Sequence, residues 1–100
     1  MTYRVVYRQS ADDNLAAIYD WIADRADTDT ALRYVLRIRN ACEKLADFRY
    51  RGTPHDDLLA SLRSVPFERR VTIAYLVKGD EVLIARILYA GRDLSREFGS

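Results

Sequence analysis

The start of the chain carries two successive patterns of apolar side chains. Residues 3–8, Tyr-Arg-Val-Val-Tyr-Arg, alternate with a period of two and are rich in β-branched and aromatic residues, which predicts a β-strand. Apolar residues then recur at helical spacing from about residue 11 to residue 26, which predicts an amphipathic helix. Ser10 is expected to cap this helix, with Asp13 answering it three residues later as in a capping box.

A second helix is predicted after a short break. Thr28-Asp29-Thr30 interrupts the first pattern with residues that prefer helix caps, and apolar residues then recur at helical spacing from Ala31 to Phe48. Since the connection is only a few residues long, the two helices should form an antiparallel hairpin. Trp21 and Cys42 lie on the two apolar stripes, so we expect both in the core, with Cys42 as a small buried hydrophobe rather than a nucleophile. A binding hot spot is the alternative for Trp21.

The second half of the chain has the pattern of β structure. Residues 49–57, which include glycine and proline, are predicted to form the longest loop. Three strand-like segments follow, at residues 59–65, 70–77 and 82–89, with the first ending before Pro66 and the last two joined by a Gly79-Asp80 hairpin turn. The order β-α-α-β-β-β predicts an α+β fold in which the helix hairpin packs on one face of a small, largely antiparallel sheet and the other face is open.

The composition is that of a folded globular protein, with 49% hydrophobic and 31% charged residues. A chain of 100 residues supports one core, so a single domain over residues 1–100 is expected. No apolar run approaches the roughly 20 residues that cross a bilayer, and the N-terminus lacks the apolar block of a signal peptide, so we expect a cytoplasmic protein with no membrane partner. With Cys42 and His55 each the sole residue of its type, no disulfide, metal site or cofactor is expected.

Charge is unevenly distributed along the chain. The net charge of +1 gives no reason to expect direct, sequence-specific DNA binding by this chain alone. Residues 31–54, however, hold six bases against two acids. Arginine makes up 14 of the 16 bases, which suits bidentate contacts to carboxylate or phosphate groups, and high genomic GC content would produce the same bias.

Four segments resemble, in order and spacing, the RelE/ParE superfamily of small bacterial toxins. Residues 11–22 are similar to the family's first helix, Leu62-Arg63 to its second strand, and residues 73–77, with a central tyrosine, to its third. Residues 83–89 with Gly91-Arg92-Asp93 resemble the last strand and its Arg-Asp ending. The resemblance runs from about residue 3 to residue 94 and implies the toxin of a type II toxin–antitoxin system.

The superfamily contains two activities on one fold. RelE-like toxins cut messenger RNA in the ribosome, whereas ParE-like toxins inhibit DNA gyrase. In the RelE-like nucleases, the resemblance places two lysines at the positions of Leu59 and Ser61 and an aromatic proton carrier at the position of Phe98. None of these three side chains can stabilise an anionic phosphate or transfer a proton as the nuclease requires. A ParE-like toxin that binds DNA gyrase and has no catalytic residues is therefore predicted.

Two alternatives stay open. A RelE-like ribosome-dependent mRNA endonuclease would be an enzyme and would use the four residues Arg63, Arg70, Arg92 and Tyr89. A degenerate, non-toxic chain that only binds the antitoxin is the other alternative. The preferred prediction is a toxin that acts by binding. The chain would be an enzyme only under the first of these two alternatives.

The resemblance also implies partners and surfaces. The expected partner is a small ParD-like antitoxin with a ribbon-helix-helix N-terminus and an acidic tail, forming a hetero-oligomer, and the expected target is DNA gyrase. Eight bases are predicted to bind the antitoxin, namely Arg33, Arg37, Lys44, Arg49, Arg51, Arg63, Arg70 and Arg86. The helical ones follow one line opposite the apolar stripe, for which a merely solvated face is the alternative.

The strand arginines and the C-terminal segment complete the predicted surfaces. Four strand arginines are expected to gather on or near the open sheet face, where an acidic antitoxin tail would cover them, namely Arg63, Arg70, Arg86 and Arg92. For Arg86, an inward orientation or a pair with an acid is the alternative. The C-terminal segment is expected to leave the last strand exposed and to contact the target through Arg92, Leu94, Arg96 and Phe98.

Overall fold

The fold is described by a computed structural model at residues 3–90 and 92–98, so that Gly91 of the C-terminal motif lies outside the described residues. Its elements are β1 (Arg4–Tyr7), α1 (Gln9–Arg25), α2 (Thr28–Lys44), β2 (Thr53–Pro54), β3 (Leu62–Phe67), β4 (Val71–Lys78), β5 (Glu81–Tyr89) and α3 (Leu94–Phe98). The sheet order is β1-β5-β4-β3-β2, with β1 parallel to β5 and the other pairs antiparallel. The predicted α+β class and helix hairpin are confirmed, whereas β2 and α3 were not predicted.

The start of α1 differs from the predicted capping box. The helix begins at Gln9, its N-cap is Arg8, and no side chain caps it. Because the Arg8 N–H donates to Ile84 O at 2.9 Å, the turn from β1 into α1 is a single residue long and Ser10 is already helical. The Ser10 hydroxyl instead donates to Ala85 O at 2.7 Å. The capping-box prediction is wrong because the Ser10 hydroxyl bonds a carbonyl oxygen of the adjacent sheet and caps no backbone N–H of the helix.

A β-bulge in β5 explains why α1 carries polar side chains towards the sheet. The register between β4 and β5 shifts so that Ala74 faces Arg86 and Tyr75 faces Ile84, which leaves Ala85 as an extra residue. Two polar side chains of α1 bond the backbone around this bulge. The Ser10 hydroxyl donates to Ala85 O, and the Asn14 side-chain oxygen accepts from the Ile87 N–H at 2.9 Å. These bonds fix α1 against β5 in one register.

The second helix begins earlier and ends earlier than predicted. Asp27 is its N-cap and accepts a hydrogen bond from the Thr30 N–H at 2.7 Å, which lowers the pKa of the Asp27 carboxyl. The cap-forming residues that suggested a break therefore belong to the first turn of α2. At the other end the helix stops at Lys44, so Phe48 lies beyond it and is 56% exposed.

Pro66 lies inside β3, although the strand was predicted to end before it. The His55 N–H donates to Leu62 O on the outer edge of β3, so Ser64 and Pro66 direct their backbone groups to the same edge. β2 covers this edge only as far as Ser64. Proline is tolerated here because its missing N–H would have pointed outwards. The His55 ring lies 2.7 Å from Ser64 Oγ and is partly buried.

Apolar residues pack on both faces of the sheet. The face towards the helices contains the larger core, in which Ile38, Cys42 and Tyr75 are fully buried. On the opposite face, Leu94 and Phe98 of α3 pack against a second, smaller cluster, made of Leu62, Ala74, Leu76 and Ala85. The sheet face predicted to be open is thus partly covered by the chain's own C-terminal helix.

Tyr75 joins β4 to the long loop that precedes β2. Its side chain is 0% exposed, and its hydroxyl donates to Arg49 O at 2.9 Å and accepts from the Gly52 N–H at 3.0 Å. The Arg63 guanidinium donates to the carbonyls of Tyr50 and Gly52 at 3.0 and 2.7 Å. A side chain at position 52 would not fit, since a Cβ there would lie 2.7 Å from the Tyr75 hydroxyl. The loop is therefore held to the sheet by hydrogen bonds.

No helix within the described ranges combines the length and the apolar character that crossing a membrane requires.

Replacing Tyr75 with Phe should lower the free energy of unfolding by about 1–3 kcal/mol, because two buried backbone groups lose a hydrogen-bond partner. Tyr34→Phe is the matched control. The described residues offer the buried Tyr34 hydroxyl no hydrogen-bond partner, so its removal should change the free energy by less than about 0.5 kcal/mol or raise it. Urea unfolding of the two variants and the wild type measures both values, and equal losses would contradict the assignment.

Candidate functional site

One side of α2 borders two cavities that lie end to end. The residues on this side are spaced by four and three, namely Thr30, Tyr34, Arg37, Ala41, Lys44 and, just past the helix, Phe48. The cavity at the Thr30 end has a volume of about 440 Å³, and the one at the Phe48 end about 360 Å³. We call the two cavities, with the bridge between them described below, the α2 groove.

The Phe48 end of the groove has an apolar floor and a basic rim. Its floor includes Leu45, the C-cap of α2, with Val65 and Ile73 from the sheet, and the residues that line it include no acid. Lys44 and Arg51 form the rim, and neither side chain makes an ion pair or hydrogen bond within the described part of the chain. This end therefore presents apolar surface together with two uncompensated positive charges.

The Thr30 end of the groove is aromatic. Trp21 meets Tyr89 edge to face with ring centroids 5.4 Å apart, and Tyr34 meets Tyr89 in the same manner at 6.2 Å. Trp21 is 42% exposed, so the prediction that it lies in the core is wrong. The next residue, Ile22, takes the inward position and packs against the core, which turns the indole towards the open end of β5. A half-exposed aromatic cluster of this kind is typical of binding surfaces.

Arginines surround this aromatic end. The Arg25 guanidinium lies 4.1 Å from the Trp21 ring centroid and that of Arg37 lies 5.1 Å from the Tyr34 centroid. Stacking of this kind covers the faces of the rings and leaves N–H groups at the guanidinium edges for hydrogen bonds. Arg70 lines the same cavity, and its side chain makes no hydrogen bond or ion pair with the residues that the structure describes.

An ion pair bridges the groove between its two ends. The Arg37 guanidinium donates to both carboxylate oxygens of Glu68, in the β3–β4 turn, at 2.9 and 3.0 Å. The hydrogen bonds from Arg37 lower the pKa of the Glu68 carboxyl. Both side chains are about half exposed, so the pair adds little to stability and can be opened by a competing carboxylate at small cost.

The structure divides the eight bases predicted to bind an antitoxin into engaged and available ones. On or after α2, Arg33 lies 4.0 Å from Asp29, and Arg49 stacks 3.8 Å from the Tyr3 ring centroid. Arg37 is bridged to Glu68, as described above. At the Phe48 end of the α2 groove, Lys44 and Arg51 are therefore the bases of this set whose side chains have no partner among the described residues.

The predicted cluster of strand arginines on the open sheet face does not form. Arg63 is bound to loop carbonyls and Arg70 borders the aromatic end of the α2 groove on the helix side. Arg86 donates to the Ser10 hydroxyl and pairs with Glu97 at 3.2 Å. The prediction is wrong for Arg63, which shares the helix-facing side of the sheet with Tyr75, and for Arg70. Arg86 and Arg92 do meet, because both pair with Glu97 of α3.

The residues that a nuclease would use are only partly brought together. Tyr89 lines one cavity with Arg70 and another, of about 240 Å³, with Arg92. Arg63 is absent from both linings and is held by the loop before β2. The Tyr89 ring is packed between aromatic neighbours, and Ser61, where a nuclease would carry lysine, lies in a turn with φ 67°. The four residues therefore do not form one catalytic cluster.

The C-terminal segment folds back over the sheet, contrary to the expectation that it leaves the last strand exposed. Leu94 and Phe98 pack on the smaller apolar cluster, and Arg86 lies 5.3 Å from the Phe98 ring centroid. Glu97 pairs with both Arg86 and Arg92, at 3.2 and 3.3 Å. Within the predicted target-binding set, the side chains that face outwards are therefore Arg92 and Arg96.

Two residues of the groove, Arg25 and Phe48, were missed by sequence reasoning. Arg25 follows Trp21 by four residues, a spacing at which side chains meet on a helix, so this stack could have been predicted. Phe48 continues the apolar spacing of α2 and was assigned to its core face, and only the end of the helix at Lys44 exposes it. The sequence carries no local signal for that end.

Comparisons with known proteins place the chain among toxins. A family model for the ParE toxin of the type II toxin-antitoxin system, parDE, matches residues 3–94. A solved chain of the chromosomal ParDE TA system from P. aeruginosa superposes with a TM-score of 0.77 at 25% sequence identity, over 88% of this chain and 96% of that one. No curated protein matches significantly.

A second solved structure is similar in fold alone. It is the solution structure of a conserved hypothetical protein from Helicobacter pylori, with a TM-score of 0.54 at 20% identity, over 87% of this chain and 93% of that one.

Because the Arg37–Glu68 pair is half exposed, replacing Glu68 with Gln should reduce stability only slightly at neutral pH, and not at all in acid. The pKa of Glu68 is lowered in the folded chain, so its ion pair stabilises the fold above the unfolded value of about 4.3 and is lost as the pH falls through the folded value. The wild type should therefore have the higher Tm at pH 7, and the two Tm values should converge by about pH 3. Thermal unfolding of both proteins across this range measures the difference, and a gap that is independent of pH would contradict the pairing.

Proposed function

Since this chain belongs to the ParE toxin family of type II toxin–antitoxin systems, we propose that it inhibits DNA gyrase by binding and is neutralised by a cognate antitoxin. The observation that carries the proposal is the match of the ParE toxin model to residues 3–94, nearly the whole chain. The similarity to a chain of the P. aeruginosa ParDE system over 88% of this chain supports it.

The arrangement of the site favours binding over catalysis. RNA cleavage by a 2′-hydroxyl requires a base, cations at the phosphate and a proton donor to the leaving oxygen, all within reach of one phosphate. Arg63 is engaged with loop carbonyls, away from the cavities that Tyr89 shares with Arg70 and Arg92. The chain therefore lacks an assembled set of catalytic groups among its described residues, which is expected of an inhibitor that acts by occupying its target.

We assign the target surface to α3 and the residues just before it. Arg92 and Arg96 face outwards and line a cavity of about 500 Å³ with Asp93 and Glu97. Leu94 and Phe98 hold the helix to the sheet, so their contribution is to position the two arginines. A gyrase surface that accepts this segment would offer acidic groups to the arginine edges.

The antitoxin is proposed to be a small ParD-like protein with a ribbon-helix-helix N-terminus and an acidic tail. It would form a hetero-oligomer with this chain in the cytoplasm, where gyrase acts. An acidic tail suits the excess of bases over acids between residues 31 and 54, which is six against two.

Purified protein should inhibit the supercoiling of relaxed plasmid by DNA gyrase, and it should leave messenger RNA intact on translating ribosomes. Replacing Arg92 and Arg96 together with Glu should raise the concentration needed for half inhibition by about tenfold or more, since two attractive contacts become repulsive. Lys78→Glu, which reverses one exposed charge at the β4–β5 turn, is the matched control and should inhibit as the wild type does.

Two results would overturn the proposal. Cleavage of message in the ribosomal A site, abolished by Tyr89→Phe, would favour the endonuclease. Normal growth on induction of the gene alone, with no effect on gyrase, would favour the degenerate antitoxin-binding module.

A further inference from the structure

We propose that Arg86 is the positioning residue of the proposed target surface, and that it acts through Glu97 of α3. Under the proposed function, Arg92 and Arg96 are the side chains that contact the target. The inference rests on that function, because it names what holds these two arginines in a binding orientation. It also changes the role of Arg86, which the sequence assigned to antitoxin binding.

The helix that carries the target surface is too short to be stable by itself. α3 has five residues, whereas isolated helices of fewer than about 12 residues are marginal in water. Asp93 caps its first turn, since its carboxylate accepts hydrogen bonds from the Ser95 N–H and hydroxyl at 3.0 and 2.9 Å. One cap does not replace the missing turns, so the orientation of α3 has to come from its contacts with the sheet.

The apolar contacts of α3 hold it on the sheet without fixing its rotation. Leu94 and Phe98 pack against the smaller apolar cluster, in which Ala74 and Ala85 offer only methyl groups. Apolar contact is non-directional, so a short helix resting on small side chains can turn about its own axis. A directional contact is therefore needed if the arginines of the target surface are to keep one orientation.

Glu97 supplies this directional contact. One of its carboxylate oxygens accepts a hydrogen bond from Arg86 Nε at 3.2 Å, and the other accepts from Arg92 Nη2 at 3.3 Å. The Glu97 side chain is 23% exposed, so solvent and salt screen these pairs less than pairs on the open surface. Arg96 precedes Glu97 by roughly 100° around the helix and is exposed, so holding Glu97 against the sheet directs Arg96 to solvent.

Arg86 is itself held by the elements around it. Its guanidinium donates to the Ser10 hydroxyl of α1 and to the Ala85 carbonyl, the latter at 2.9 Å, and lies 5.3 Å from the Phe98 ring centroid. The β-bulge explains this placement, because Arg86 faces Ala74 of the smaller cluster and the extra residue Ala85 belongs to the same cluster. Arg86 therefore links the junction of α1 and β5 to α3.

A purely structural role is the alternative for Arg86. An arginine that only stabilised the fold would lower the free energy of unfolding when replaced, and its effect on target binding would not depend on Glu97. The Arg4–Glu81 ion pair, at 2.6 Å, provides a matched comparison. It joins β1 to the first residue of β5, and neither side chain pairs with a residue of α3 in the described part of the chain.

Supercoiling assays with DNA gyrase test the role of Arg86. Arg86→Gln and Glu97→Gln should each raise the concentration for half inhibition by about tenfold, because the arginines of the target surface must then be ordered during binding. The double variant should be no worse than Glu97→Gln alone, since Arg86 acts through Glu97. Arg4→Gln removes the comparison pair and should inhibit as the wild type does.

Hydrogen exchange of the backbone at residues 93–98 gives a second measurement that needs no gyrase. Exchange in this segment should be faster by about threefold or more in Arg86→Gln and in Glu97→Gln, because α3 is then held less firmly. Arg4→Gln should leave it unchanged. Urea unfolding of each variant shows whether a lost inhibition reflects a lost fold.

The outcomes separate this role from the proposed function. Arg86→Gln that inhibits as well as the wild type would overturn the positioning role, as would unchanged exchange at residues 93–98. A double variant with the product of the two single losses, about a hundredfold, would also overturn it, and so would a loss of inhibition that follows the loss of unfolding free energy. A wild-type protein that does not inhibit gyrase would instead overturn the proposed function, and exchange would still decide whether Arg86 and Glu97 hold α3.

Discussion

The Tyr75 hydroxyl is the contact on which the outer half of the molecule depends. It lies at the centre of the sheet and bonds the backbone at Arg49 and Gly52, so it sets where the loop after α2 must run. That path lets β2 pair with the outer edge of β3 and places Phe48 and Arg51 beside the sheet. A buried polar group is costly unless it is satisfied, and here its hydrogen bonds shape one end of the α2 groove.

The chemistry of the surface is decided by which arginines already have partners. Arginine is plentiful in this sequence, but stacking on tyrosine, bonds to loop carbonyls and acids brought from distant elements engage many of these side chains. Among the bases predicted to bind an antitoxin, those without a partner in the described residues are Lys44, Arg51 and Arg70, which lie at the two ends of one side of α2. The distribution of partners, and not the number of positive charges, thus decides where positive charge remains available on this side of the molecule.

Periodicity alone predicted the helices, the main strands and the class of fold, because amphipathic repeats report which face each element buries. It failed where a distant element decides the outcome. Ser10 bonds the bulge in β5 instead of capping its helix. Pro66 continues β3 because the strand edge beside it has no partner strand, and α3 covers part of a sheet face predicted to be open. Only part of the α2 groove could be predicted from the sequence. Lys44 and Arg51 were predicted as surface bases from their charge, whereas the exposure of Trp21 depends on how α1 packs in three dimensions.

The pairing of β1 with β5 has a consequence for synthesis of the protein. β1 aligns Arg4 with Glu81, so a strand near the start of the chain finds its neighbour only after almost all of the described residues have been made. Contacts of such sequence separation close late and slowly, so α1 can pack against α2 early but completes the burial of its apolar side only when β5 is in place. The parallel pairing of β1 with β5 therefore makes closure of this edge of the sheet a late step in folding.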